Sequence, residues 1–201
     1  MDIQNKNRKL LKKNHVYDET MEHDACGVGL VASTEGLKSR KVVEYGIEAL
    51  KAVWHRGAID ADGKTGDGAG IHIEIPNDFF AEKIEITGHE HDNSDLCVGM
   101  IFLPRNDFGG QEQCRSIVES ELTKKNFNIY GWRQVPVDPS VLGEKAEQTR
   151  PEITQVLFTH NDKSIHGKDL ERALYETRRK IEKEALRNQL NNFYILSLIH
   201  I

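Results

Sequence analysis

HDACGVGLVA (His23–Ala32) is the stretch on which the fold turns. Cys26 stands between two small residues, Ala25 and Gly27, where a polar leader gives way to an apolar run. A cysteine in an apolar strand is most simply a small, inert hydrophobe. The alternative is a nucleophile freed by removal of everything before it. Cleavage after Ala25 would leave Cys26 with a free α-amino group, whose reference pKa of ~7.7–8 keeps a useful fraction neutral near pH 7. That amine could take the thiol proton as general base, so that one residue supplies both nucleophile and base and needs no histidine partner. The small neighbours, and a leader whose composition carries no pattern, favour the second reading. Cys97 and Cys114 have no such flanks and read as ordinary buried thiols.

Outward from this stretch, the bulk properties restrict the class. A chain of 201 residues can build one sizeable core. Hydrophobic residues at 38% and charged residues at 29% are the composition of a globular protein in water. A formal charge of −5 argues against a nucleic-acid partner, which calls for a basic face. No apolar run approaches the roughly 20 residues that span a bilayer, so no membrane partner is expected. Met1–Ala25 lacks the apolar core of a secretory signal, and the basic NRKLLKKN is followed by the acidic DETMEHD. Three widely spaced cysteines form neither a disulfide framework nor a zinc motif. The expectation is a reduced, cytoplasmic protein without a metal.

CGVGLVAS (Cys26–Ser33) reads as a buried strand whose glycines admit another backbone. Val42, Val43, Ile47, Leu50 and Trp54 share one helical face, predicting a helix over Ser39–His55. RGAIDADGKTGDGAG (Arg56–Gly70) is a loop dense in Gly and Asp. IHIEIP (Ile71–Pro76) alternates as a strand ended by proline, with His72 half-buried. NDFFAEKI is a short helix and LCVGMIFLP a buried strand. Gln111–Lys125 is a helix with Ile117 and Leu122 inward. NIYGWRQVPV and ITQVLFTH are strands, Gly167–Leu190 is a charge-laced helix, and NNFYIL begins a further strand. Trp54 and Trp132 read as core or near-core aromatics. Sheets covered by helices in one domain follow, either α/β or α+β.

The Gly/Asp loop invites two misreadings. In GAIDADGKT, five residues separate Gly57 from Gly63, one more than the phosphate-cradling G-x-x-x-x-G-K-[ST] admits, and the loop follows a helix instead of a strand. A calcium loop fails because Lys64 and Ile71 fall where oxygen ligands belong. HEHD (His89–Asp92) reads as solvated surface.

EHDACGVGLVA, HRGAIDADGKTGDGAGIHIEIPNDFF and GWRQVPVD together closely resemble the amino-terminal glutaminase domain of glutamate synthase large subunits, over about Tyr17–Ile195. That domain is a class II glutamine amidotransferase. The resemblance implies an α+β fold, the N-terminal-nucleophile hydrolase αββα four-layer sandwich, here incomplete at the C-terminus. It implies residues 1–25 as propeptide, residues 26–195 as a partial domain, and Cys26 as the catalytic nucleophile that attacks the side-chain amide of L-glutamine. Arg56 and Gly57 of HRG would support the nucleophile, and Asp67 and Gly68 of TGDGAG would shape the adjoining loop. The wording ADGKTGDGAG is nearer to the NADPH-dependent enzymes than to the ferredoxin-dependent ones. No cofactor is implied within this chain. FMN and an iron–sulfur cluster are implied elsewhere in a full-length enzyme, with the remaining synthase domains and, for the NADPH type, a small subunit as partners.

Members of the family continue further, with RFST clamping the substrate carboxylate and HNGE forming the oxyanion hole; neither string occurs here. Loss of one oxyanion donor typically costs ~10²–10³ in rate, so the 201 residues alone are expected to be inactive. LSLIHI (Leu196–Ile201) also matches one reading frame of a common transposase adapter, which makes residues 196–201 an expected sequencing artefact. The rival readings are a non-catalytic regulatory or interaction fragment and a different class II amidotransferase.

Overall fold

A computed structural model describes residues 27–54, 57–90 and 95–200. These fall into two compact units. One holds the described residues up to Ala58 together with Gly66–Ile71, and the other holds Ile59–Thr65 and the chain from His72 onward.

The first unit is built around α1 (Arg40–Ala52). Ser39 caps it, its hydroxyl accepting the Lys41 N–H, and Lys51 lies in the last turn, where a cation suits the exposed carbonyls. Val42, Val43, Ile47 and Leu50 form the expected stripe, but each is only half-buried. Gly46 lets Ile71 approach, since a Cβ there would lie 3.2 Å from the Ile71 Cδ1. Trp54 departs from its expected core position and is 74% exposed.

The strand expected over Cys26–Ser33 is absent from its described part: residues 27–33 carry no ladder, and Val28 and Leu30 stand in solvent. An apolar run becomes a strand only when a neighbouring edge takes its N–H and C=O groups. Gly27 and Gly29 add no side chain that would hold one. Ile71–Pro76 also forms no strand. Of its alternating isoleucines only Ile75 is buried, and His72 is exposed, contrary to expectation.

The second unit is α+β. Its elements are α2 (Asn77–Ile86), β1 (Leu96–Leu103), α3 (Phe108–Lys124), β2 (Phe127–Gln134), α4 (Glu144–Thr149), β3 (Glu152–His160), α5 (Gly167–Arg187) and β4 (Tyr194–His200), with a 3-10 turn at Pro139–Val141. The strands make one antiparallel sheet in the order β2-β3-β1-β4. Cys97 stands opposite Phe158 and Ile101 opposite Thr154. Gly99 pairs with Leu198, and the register shifts at Met100/Ile101. Gly99 has to be small, because a Cβ would fall 2.6 Å from Val156 Cγ1 and 2.8 Å from Leu198 Cδ2.

Alternation along the strands sends side chains to two faces. Ile101, Leu103, Val156, Phe158 and Leu198 face α3 and α5, meeting Val118 and Leu122 of one helix and Leu170, Leu174 and Ile181 of the other. Asp107 caps α3 by accepting the Gly110 N–H at 2.9 Å. The opposite face buries Leu96, Val98, Tyr130 and Leu157 beneath Phe80 and Ile84 of α2. The rest of that face is less covered: Met100 and Phe102 are half-buried and Tyr194 is exposed. Cys97 and Cys114 lie in the main core as expected. Trp132 packs at its margin and donates its indole N–H to Glu119 at 2.7 Å.

Candidate active site

Cys26 and Arg56, the first two residues expected in the site, lie outside the described residues, as does the leader Met1–Ala25. Gly57, Asp67 and Gly68 are described, and the local structure explains how two of these segments meet.

After α1 the chain turns at Trp54, whose carbonyl accepts the Gly57 N–H at 3.1 Å. One residue on, the Ala58 N–H donates to the Asp67 carboxylate at 2.9 Å. The Asp67 N–H returns the bond to the Ala58 carbonyl at 3.2 Å. Gly66 makes this approach possible, because a Cβ there would stand 2.7 Å from the Ala58 oxygen. Asp67 therefore fastens the segment after Gly57 to the TGDG segment through side chain and backbone together. Its carboxylate accepts a backbone donor.

Gly68 and Gly70 are bare on their open side: a Cβ built at either would meet nothing within 4 Å. Residues 57–70 are exposed except for the half-buried Thr65. Such a ribbon can present backbone amides to a polar ligand without a side chain in the way. Between its two ends the chain reverses at Gly63, whose φ of 70° suits glycine and whose N–H donates to the Asp60 carbonyl at 2.9 Å. The loop reading of this segment holds.

The other titratable side chains singled out in the sequence are accounted for. The His89 ring shares a hydrogen bond with the Thr87 hydroxyl at 3.0 Å and lies exposed, while His91 and Asp92 are outside the described residues. Burial pushes the Cys97 thiol far up and the Cys114 thiol up to about 11, so neither is a nucleophile at neutral pH. A cleft of about 220 Å³ at the end of the sheet, lined by Asp95, Thr159, His160, Asp162 and His166, contains none of the expected site residues.

Residue identity alone did not reveal the partner of Asp67. The resemblance placed Asp67 in the loop adjoining the site without naming the bond.

The comparisons with known proteins point to one family. The profile described as Glutamine amidotransferases class-II matches residues 26–200. The chain is 51% identical over 192 residues to the NADPH glutamate synthase large chain of Azospirillum brasilense, covering 96% of this chain and 13% of that one. It is 37% identical over 170 residues to the chloroplastic ferredoxin-dependent glutamate synthase 2 of Arabidopsis thaliana, covering 84% and 10%. It is 36% identical over 177 residues to ferredoxin-dependent glutamate synthase 2 of Synechocystis, covering 88% and 11%. The chain thus spans 10–13% of the length of these curated relatives.

Proposed function

The chain belongs to the class II glutamine amidotransferases, and from that premise we propose that it is the glutamine-hydrolysing part of a glutamate synthase large subunit. The observation that carries this reading is the 51% identity running over 96% of the chain. The match of the family profile from residue 26 onward supports Cys26 as the first residue of the mature protein. Residues 1–25 are then a leader removed before catalysis.

In the proposed mechanism, the neutral α-amino group of Cys26 takes the thiol proton. The thiolate adds to the side-chain amide carbon of L-glutamine. The carbon–nitrogen bond breaks, and the leaving nitrogen takes the proton held by the α-amino group and departs as ammonia. A glutamyl thioester remains. Water, deprotonated by the same amine, adds to it and releases glutamate while the proton returns to sulfur. Arg56 and Gly57 support the nucleophile. Asp67 holds Ala58, and so the segment that carries them, through the two hydrogen bonds described above.

The finer assignment is to the NADPH-dependent type, supported by 51% identity against 36–37% for the two ferredoxin-dependent relatives. Ammonia would be used to aminate 2-oxoglutarate in other domains, where FMN and an iron–sulfur cluster supply the electrons, with a small subunit as partner and the cytoplasm as location. Cys97 and Cys114 are two thiols in the hydrophobic core, fewer than the four cysteine ligands such a cluster takes. The αββα sandwich is the fold proposed for the whole domain, with the four-stranded sheet as one of its two sheets.

The test is made on the chain with its natural continuation. The mature protein is expected to begin at Cys26 by intact mass. Cys26→Ala is expected to abolish glutamine-dependent glutamate formation and to leave ammonia-dependent formation. An unprocessed leader, with glutamine use unaffected by Cys26→Ala, would sink the reading.

A further inference from the structure

Seven residues, Ile59–Thr65, are seated on the start of α4, which lies far along the chain. The Asp62 carboxylate accepts the N–H groups of Lys64 at 3.0 Å and Thr65 at 2.7 Å, and the Thr65 hydroxyl at 2.5 Å. The Thr65 oxygen takes the Ala146 N–H at 3.4 Å. The Lys145 ammonium reaches both oxygens of Asp60, at 2.8 and 2.7 Å. Within the loop, the Asp60 N–H donates to the Thr65 carbonyl at 2.7 Å. The loop thereby takes one of the N–H groups that the first turn of a helix leaves without partners.

Gly143, the residue before α4, permits the fit. A Cβ there would lie 2.2 Å from Thr65 Oγ1, 2.4 Å from Asp62 Oδ2 and 2.5 Å from the Thr65 nitrogen. All three atoms belong to backbone or to short side chains already committed to hydrogen bonds, so the loop itself would have to move. Loop residues 59–65 enter neither hydrophobic cluster, and Ile59 is 63% exposed. The Lys145–Asp60 pair is itself partly in solvent, where ion pairs add little stability. What these contacts fix is the local path of the chain. That path runs at one end straight into Ala58 and Gly57, and at the other into Gly66, Asp67 and Gly68.

We propose that Asp60, Asp62, Thr65, Gly143 and Lys145 are positioning residues for glutamine hydrolysis, holding the loop whose ends carry the Gly57 and Asp67 segments. The proposal rests on the function assigned above. The hydrogen bonds that hold the Asp62 carboxyl well below the usual carboxylate range are consistent with a permanent anchor.

The experiment uses the chain with its natural continuation, and reads alkylation of Cys26 by the electrophilic glutamine analogue 6-diazo-5-oxo-L-norleucine. Gly143→Ala and Lys145→Met are expected to lower the alkylation rate at saturating analogue by about tenfold, since small misplacements near a reacting group are costly. Ammonia-dependent glutamate formation and the urea midpoint should stay at wild-type values. The charge swap Asp60→Lys with Lys145→Asp should restore most of the rate lost in Lys145→Met. Wild-type alkylation in both single variants would overturn the proposal. So would a parallel fall in urea midpoint and ammonia-dependent activity, which marks a structural role only, or no recovery in the charge swap. Labelling that persists in Cys26→Ala would instead overturn the nucleophile assignment, which separates the two failures.

Discussion

Thr154 shows how a single side chain can be out of step with its surroundings. It is 2% exposed on β3, and its hydroxyl makes no hydrogen bond among the described residues. A buried hydroxyl without a partner retains its desolvation cost, so Thr154→Val, close in shape, is expected to stabilise the chain by about 1 kcal/mol in urea unfolding. Gly99 is the opposite case. Gly99→Ala pushes a methyl into Val156 and Leu198, and a loss of about 1–3 kcal/mol is expected by the same assay. At the candidate site, Asp67→Asn keeps an oxygen acceptor for the Ala58 N–H, while Asp67→Ala removes it. Cys26 alkylation in the full-length protein should therefore fall several-fold more in the alanine variant. Asp67 was singled out through the resemblance of TGDGAG to the family, and its bond to the Ala58 N–H is a finding of the structure. The ion pair of Asp60 with Lys145 of α4 could not be read there, because Lys145 lies far along the chain and carries no local sign of an acidic partner. Trp54 was misplaced for a related reason: helical spacing puts it on the apolar face, but α1 ends at Ala52 before the stripe reaches it.

Among the elements, those of the second unit were legible where apolar pattern and length agreed. LCVGMIFLP and ITQVLFTH became neighbouring central strands, and α5 appeared over Gly167–Arg187 with its apolar stripe buried. The expected helix end at Leu190 gives way at Arg187, followed by Gln189 with φ of 57°. The strands expected over Cys26–Ser33 and Ile71–Pro76 had the right pattern, but residues 27–33 and 71–76 pair with no edge among the described residues, and pairing cannot be seen in one segment alone. α4 escaped notice because six residues are too few for periodicity to register. The strand begun at NNFYIL extends to His200, and its last residues pair with β1 at Ser197–Met100, Leu198–Gly99, Ile199–Val98 and His200–Cys97. Truncation after Ile195 would strip these pairs and the buried Leu198 from the core. A destabilisation of about 3 kcal/mol or more is expected, with light scattering rising as the edge of β1 becomes available for pairing between chains.

For the molecule as a whole, charge linkage defines a pH window. Hydrogen bonds from the Ser140 and Ser164 hydroxyls hold the Asp138 and Asp162 carboxyls below their usual range, as the Thr65 hydroxyl does for Asp62. Arg150, then Arg105, lowers Glu147, and Lys125, then Arg172, lowers Glu176. Carboxyls with depressed folded pKa values contribute their full stability above the unfolded values of about 4, and lose it as pH falls below them. Cys97 and Cys114, pushed up by burial, act in the other direction: their contribution is complete below the unfolded thiol value of about 8.5 and declines as pH rises past it. The urea midpoint is therefore expected to be flat between about pH 5 and 8 and to fall on both sides. The strand order has a consequence of another kind. β1 lies between β3 and β4, and both follow it in the chain. On a ribosome that releases the polypeptide from its amino end, β1 emerges before either neighbour: it stays unpaired while α3, β2 and α4 are being made, and its β4 edge stays open until α5 is complete. Its apolar length is exposed throughout that interval. Nascent chains stalled before Tyr194 should be more protease-sensitive, and more readily held by chaperones, than chains stalled after the whole sheet has left the exit tunnel.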